Sequence, residues 1–405
     1  MSANAPAVQQ EAGNVSFFGR VLENIRAGNL GSWPVIIGLV FIVIFFSFKA
    51  NNFLSPGNFS NIITQMAGVT LLAYGVVFVL LIGEIDLSIS YVSGVGGVVV
   101  AQLTLAESGH QVPGLVAIFL AVAACVAIGV FQGSFVAFIG VPAFVVTLAG
   151  YQIWQGVIQK SIEGEGVIVI QDETVNNMAN YFFSNKAGWI IAGIVCTVYA
   201  ASVLGGVISH RRAGVAVRDP LFVAFKLIAV VAVAVVTVII CNKDRGVPFV
   251  LLLMIAALLI LTFVAKRTTF GRHVYAVGGN AEAARRAGIN VARVRIIVFM
   301  ISSGMAGLGG VVLAARLNSV DLNAGGGTLL IDAIAAAVIG GTSLFGGRGE
   351  VRDALFGALV IATIANGLNT LNLTQGVIFI TTGAILLFAV TLDTVLRRRQ
   401  RAAGR

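Results

Sequence analysis

The sequence predicts an all-α polytopic membrane protein with ten to twelve transmembrane helices, among them candidate broken or re-entrant segments. Three observations carry the prediction. Hydrophobic residues make up 58% of the chain and charged residues 11%, with a mean hydropathy of +0.97, whereas soluble domains carry about 25% charged residues. Runs such as 33–48, 116–139, 189–208, 221–241 and 247–265 are almost free of charge and match the ~17–25 residues that cross a bilayer core. The 48 glycines suit close helix contact in lipid.

In chain order, spans are predicted near 33–49, 59–82, 87–105, 114–139, 143–160, 188–208, 221–241, 247–265, 294–315, 329–345, 353–371 and 376–396. Segments 87–105 and 329–345 are short or interrupted by glycine. They read as candidate half-helices, tolerated in a membrane where they line a cavity. The expected organisation is a cytoplasmic tail at 1–32, one transmembrane domain at 33–396 and a basic tail at 397–405. In the first tail, Phe17, Phe18, Val21, Leu22 and Ile25 share a helical face opposite Arg20, Glu23 and Arg26. That pattern fits a helix lying in the membrane interface, and equally a disordered tail. No signal peptide is expected, because a positive n-region and a cleavage site are missing.

The net charge of +9 reads as loop asymmetry rather than nucleic-acid binding. Nineteen Lys and Arg residues fall on the side shared by both termini and six on the other, with Lys226 near a span end. Positive charge marks the cytoplasmic side, so both termini are expected in the cytoplasm. The long outer loop 161–187 carries Glu163, Glu165, Asp172 and Glu173 against Lys186 alone.

Few residues carry candidate chemistry. Cys125, Cys196 and Cys241 lie in apolar runs without a C-x-x-C pair, and the three histidines are scattered, so no metal site is expected. Glu84, Asp86 and Ser88 stand in LLIGEIDLSIS at 80–90. A charge at the bilayer centre costs at least ~2.5–3.5 kcal/mol on insertion scales, so such groups face protein or water. These residues mark either a helix break lining a pathway or an ordinary turn between spans.

In GGNAEAARRAGI at 278–289, Asn280 is placed to cap a helix through Ala283 and Ala284. Glu282 and the pair Arg285 and Arg286 match the two ends of its dipole, and Gly288 supplies a left-handed stop. A helix of two turns is marginal alone in water, so it docks against its own membrane domain or against a partner. The stretch 324–349, AGGGTLLIDAIAAAVIGGTSLFGGRG, places Asp332 at the start of a small-residue segment and Gly340, Gly341 and Thr342 at its end. Asp332 reads as a first-turn residue favoured by the dipole. A Walker A loop needs Gly-Lys-Ser/Thr, and none of the six lysines follows a glycine.

Three stretches resemble the permeases of bacterial monosaccharide ABC importers, the ribose/xylose/galactose class: GEIDLS at 83–88, GRHVYAVGGNAEAARRAGI at 271–289 and LIDAIAAAVIGGTSLFGGRG at 330–349. The resemblance implies that the helix at 281–287 is a coupling helix seated on an ATPase. It also implies a homodimeric permease, an ATPase subunit with two nucleotide-binding domains and a periplasmic sugar-binding protein. ATP and magnesium would bind that ATPase, with no cofactor on this chain and no enzyme activity of its own. An extra helical pair at 188–241 is similar to the xylose-type permease, which makes D-xylose the expected sugar. The alternative is an ion-coupled secondary sugar transporter using Glu84 and Asp86. An intramembrane enzyme built on Ser343 lacks a plausible His or Lys partner.

A neutral substrate is expected because Lys and Arg fall in loops, turns or span ends, leaving no mid-span cation to neutralise an anion. Polar residues that could supply hydroxyl-matching groups are Thr64, Gln65, Tyr74, Ser88, Ser90, Tyr91, Thr147, Gln152, Asn366 and Asn369, with the members facing the path left open. The expected pathway residues are Glu84, Asp86, Ser88, Asp332, Gly340, Gly341 and Thr342.

Overall fold

A computed structural model describes residues 33–105, 111–212, 220–384, 387 and 391. The interfacial helix expected at 1–32 and the basic tail at 397–405 lie outside the described residues.

The chain forms α1 (Trp33–Lys49), α2 (Pro56–Leu81), α3 (Ile89–Leu103), α4 (Gly114–Ser134, continued by a π-helical turn Phe135–Ile139) and α5 (Ala143–Ser161). Then come β1 (Val167–Val169), α6 (Glu173–Asn180), β2 (Phe182–Phe183), α7 (Asn185–Arg212), α8 (Pro220–Asn242), β3 (Val247–Pro248) and α9 (Phe249–Arg267). The short helices α10 (Thr269–Gly279) and α11 (Ala281–Arg286) precede α12 (Val291–Leu317), β4 (Ser319–Asp321), α13 (Leu329–Gly340), α14 (Val351–Thr370) and α15 (Gln375–Ala384). Seven of the described helices are long and apolar enough to cross a membrane, and the described part of each span read from the sequence falls largely on a helix, the last span being described only to Ala384 and at 387 and 391. Such a composition over so many helices defines a polytopic helical membrane protein.

The core is built around α12 and α2. Small residues at Ser302, Ser303, Gly304, Gly307, Gly309 and Gly310 give α12 a thin waist, which lets α2, α3 and α4 pack closely around it. The apolar surface of α1, α4, α5, α7 and α8 faces outward, as at Phe41, Phe119, Phe144, Ile194 and Val233, because lipid rather than water is its solvent. The predicted extra pair is the hairpin α7–α8. Its two helices pack on each other, and beyond that chiefly α8 touches α2.

Two small sheets close the end of the molecule away from α11. Strand β1 pairs antiparallel with β4, Ile168 opposite Val320, and β2 pairs with β3, Phe182 opposite Pro248. The guanidinium of Arg245 lies 4.2 Å over the Phe182 ring.

The two short segments are half-helices, and their starts meet. From α2, which ends near α11, residues 82–88 run without helix until α3 begins. Along α12, Arg295 holds Glu84, and Ser302, seven residues or ~10 Å further, binds Asp86. Helix α3 therefore starts well inside the bundle and fills the half away from α11. From that opposite end, residues 319–328 descend along α3, with Val320 beside Gly97, Ala324 beside Gly94 and Gly325 beside Ser90. Gly325 has φ +80°, and a β-carbon there would overlap the Ser90 carbonyl oxygen, so only glycine lets the loop reach this depth. Helix α13 then starts and fills the half toward α11.

Candidate functional site

Two groups of predicted residues resolve into built structures. At the start of α3, Asp86 is 4% exposed and no cation pairs with it among the described residues. Its Oδ1 accepts from the Ser88 backbone N–H at 3.0 Å and from the Ser88 hydroxyl at 2.7 Å, and its Oδ2 accepts from Ser302 Oγ at 2.9 Å. The Ser88 hydroxyl has one proton and also stands 2.9 Å from the side-chain amide of Gln132. Turning that amide so that its otherwise unpaired Nε2 donates to Ser88 Oγ leaves the proton for the carboxylate. The chain Gln132–Ser88–Asp86–Ser302 thus joins α4, the break and α12. Glu84 is less deeply placed and pairs with Arg295 at 2.9 Å. Of the two readings of this stretch, the geometry favours a helix break inside the bundle over a surface turn.

The second group surrounds α11. Asn280 caps the helix, its Oδ1 accepting from the Ala283 N–H at 2.9 Å. Gly288 ends it at φ +84°. Ala284, 5% exposed, is the one buried side chain of the helix and faces its own protein, while Glu282, Ala283, Arg285 and Arg286 are exposed. The Arg285 and Arg286 side chains are 67% and 80% exposed, and their ion pairs with Glu282 add little stability in water. The outward face is therefore charged and exposed, while Ala284 and the half-buried Ala281 seat the helix on its own protein.

The glycine-rich turn 341–350 braces α10, the helix that leads into α11, and the ends of α2 and α9. Gly347 N–H donates to the Leu81 carbonyl at 2.9 Å, and the Tyr275 hydroxyl donates to the Gly349 carbonyl at 2.8 Å. Lys266 bridges to Glu350 at 2.6 Å. Burial, with Glu350 and Asp353 nearby, raises the Tyr275 phenol above its ordinary range, keeping it a neutral donor. A β-carbon on Gly278 would overlap the Leu81 carbonyl oxygen. The two glycine-rich motifs, distant in sequence, therefore meet at the end of α2.

The seven expected pathway residues are not brought together. Glu84, Asp86 and Ser88 occupy the break. Asp332 lies at the start of α13, accepting from Thr328 Oγ1 at 2.7 Å. Gly340, Gly341 and Thr342 lie at the far end of α13, where Gly340 packs on the Asp353 backbone and Gly341 turns the chain at φ +120°. Sequence reasoning missed Gln132, Ser302, Arg295 and Tyr275. The signal for Ser302 was a polar pair, Ser302–Ser303, inside an apolar span. A cavity of about 450 Å³ opens between α3, α12, the descending loop, α13 and α15. None of the ten candidate hydroxyl-matching residues lines it.

The chain matches the family model described as branched-chain amino acid transport system / permease component over residues 58–392. It is 34% identical to the xylose transport system permease protein XylH of Haemophilus influenzae, covering 93% of this chain and 99% of that protein. It is 31% identical to the D-allose transport system permease protein AlsC of Escherichia coli K12, over 89% and 90% of the two chains. Identity to the ribose import permease protein RbsC of the same strain is 30%, over 88% and 92%. No solved structure matches.

Proposed function

This chain belongs to the family of branched-chain amino acid transport system permease components, and we propose that it is the membrane subunit of an ATP-driven importer carrying a neutral monosaccharide, D-xylose first, into the cell. As a transport permease with multiple apolar helices it is an inner-membrane protein and not an enzyme. The observation that carries the ATP-driven reading is α11: a capped, two-turn helix with one buried alanine and an exposed charged face. A self-sufficient ion-coupled carrier has no use for such a surface. The face fits a cleft on an ATPase subunit that has two nucleotide-binding domains and holds the ATP and magnesium. The opposite end, with β1 and its acidic loop, fits a periplasmic sugar-binding protein, and the assembly uses two copies of this chain.

Mechanically, α12 links the two ends. It begins four residues beyond α11, holds Glu84 through Arg295 and Asp86 through Ser302, and ends beside the descending loop. A push on α11 is thereby transmitted to the meeting point of the half-helices. The coupling role rests on Asn280, Glu282, Ala283, Ala284, Arg285, Arg286 and Gly288.

D-Xylose is favoured by the 34% identity to xylose permeases and by the α7–α8 hairpin, while the allose and ribose relatives keep hexoses and ribose as the next candidates. The test is a strain lacking its own pentose importers, supplied with this chain and its ATPase and binding protein. Growth on micromolar D-xylose, with labelled xylose uptake outcompeted least well by ribose and allose, is expected. Growth restored only on allose would refute xylose, and growth restored only on an amino acid would refute the sugar.

A further inference from the structure

We propose that the cavity above the meeting point of α3 and α13 is where the permease holds its sugar in transit, with Asp332 reading the hydroxyls. This inference rests on the permease reading above. The cavity, about 450 Å³, falls within the ~300–1,000 Å³ of small-molecule sites. Its walls come from five segments far apart in sequence: α3 at Ser93–Gly97, the last turns of α12, the loop 319–328, the first turn of α13, and Gln375 with Phe379 of α15.

The wall chemistry suits a neutral polyol. Asp332 is half-buried, and Thr328 occupies one acceptor position on its Oδ2. A carboxylate has about four such positions, so capacity for two neighbouring sugar hydroxyls remains. The other acid, Asp321, is engaged with the Asn323 backbone N–H at 3.0 Å. The amides of Asn323 and Gln375 both donate and accept, as a polyol requires, and Phe379 offers an apolar ring face. Among the described residues no Lys, Arg or His lines the cavity, so a sugar phosphate would meet a carboxylate without a compensating cation there.

Position supports the same reading. At the lower edge of the cavity Gly325 rests against the Ser90 carbonyl. Below that contact stands the Asp86–Ser302 link. Movement of α12 relative to α13 therefore opens or closes the way between the cavity and the α11 end.

Asp332 also sits where a carboxylate supports the start of a helix, so the test separates binding from capping. Chain, ATPase and binding protein are reconstituted in vesicles, and Asp332→Asn is compared with the wild type for uptake kinetics and for competition among unlabelled monosaccharides. Loss of one charged hydrogen bond predicts a roughly tenfold or greater fall in uptake kcat/KM with a changed competitor ranking, while ATP hydrolysis stimulated by binding protein persists. An unchanged rate and ranking would overturn the site, and so would a loss of thermal stability with ranking preserved. Independently, uptake by Ser319→Cys, compared with its own unlabelled rate, should fall once a bulky impermeant maleimide reaches the cavity from outside. The wild type, in which Cys125 and Cys241 are buried and Cys196 is half-buried, is the reagent control for any reaction at the native thiols. Full uptake by fully labelled protein would also overturn the site. Wild-type vesicles that take up no monosaccharide with all partners present would instead overturn the permease reading itself.

Discussion

Asp86 is buried with hydrogen bonds in place of a counterion. Such bonds are strong because the acceptor is charged, yet removing the acceptor leaves the buried Ser88 and Ser302 donors unsatisfied, at about 1–3 kcal/mol each. Asp86→Leu is therefore expected to lower the melting temperature of the purified protein. Asp86→Asn, which preserves shape and one acceptor, should reach the membrane at wild-type level but transport at a reduced rate. Uptake by Asp86→Asn equal to wild type, per unit of membrane protein, would show that the link has no part in transport. A neighbouring pair of glycines gives a sharper contrast. A β-carbon on Gly278 has no space against Leu81, whereas one on Gly279 meets nothing within 4 Å. Gly278→Ala should abolish assembly or uptake, and Gly279→Ala should be silent. Equal behaviour of the two variants, read by membrane level and uptake together, would contradict the packing of the two motifs on α2.

Single elements were legible in the sequence where local chemistry decides them. The cap at Asn280, the stop at Gly288 and the dipole-matched charges of α11 are all local, and so are the two short, glycine-flanked runs that became half-helices. The contacts that make them a site were not legible. Ser302 reaches Asp86 across 216 positions and Gln132 reaches Ser88 across 44, and no periodicity encodes such pairings. The cavity residues were missed for the same reason: choosing polar residues within spans selected groups such as Tyr74, which is fully buried in α2, rather than the descending loop and α15. At this scale α11 makes the clearest prediction. Ala284→Pro removes the bond from its N–H to the Asn280 carbonyl, at ~3 kcal/mol in a helix interior, and Gly288→Val strains a residue at φ +84°. Both should insert normally yet lose the stimulation of ATP hydrolysis by binding protein. Wild-type stimulation in both would remove α11 from the coupling path.

The whole molecule is a bundle with two unlike ends, one bearing α11 and the glycine-rich turn, the other bearing β1–β4 and acidic residues. By the positive-inside count the first is expected in the cytoplasm. Single cysteines at Ala283 and Glu165, probed in intact cells with an impermeant thiol reagent, should label at 165 and not at 283, and the reverse pattern would invert the molecule. The most direct test of the ATP-coupled reading joins both ends in one measurement. Vesicles carrying this chain and its ATPase, with binding protein outside and ATP trapped inside, are assayed for labelled xylose uptake while ionophores collapse proton and sodium gradients. The expected result is uptake that requires ATP and the ATPase chain, survives the ionophores, and is lost when Arg285→Glu and Arg286→Glu together reverse the charge of the α11 face. Uptake by this chain alone, driven by an ion gradient without ATP, would contradict it.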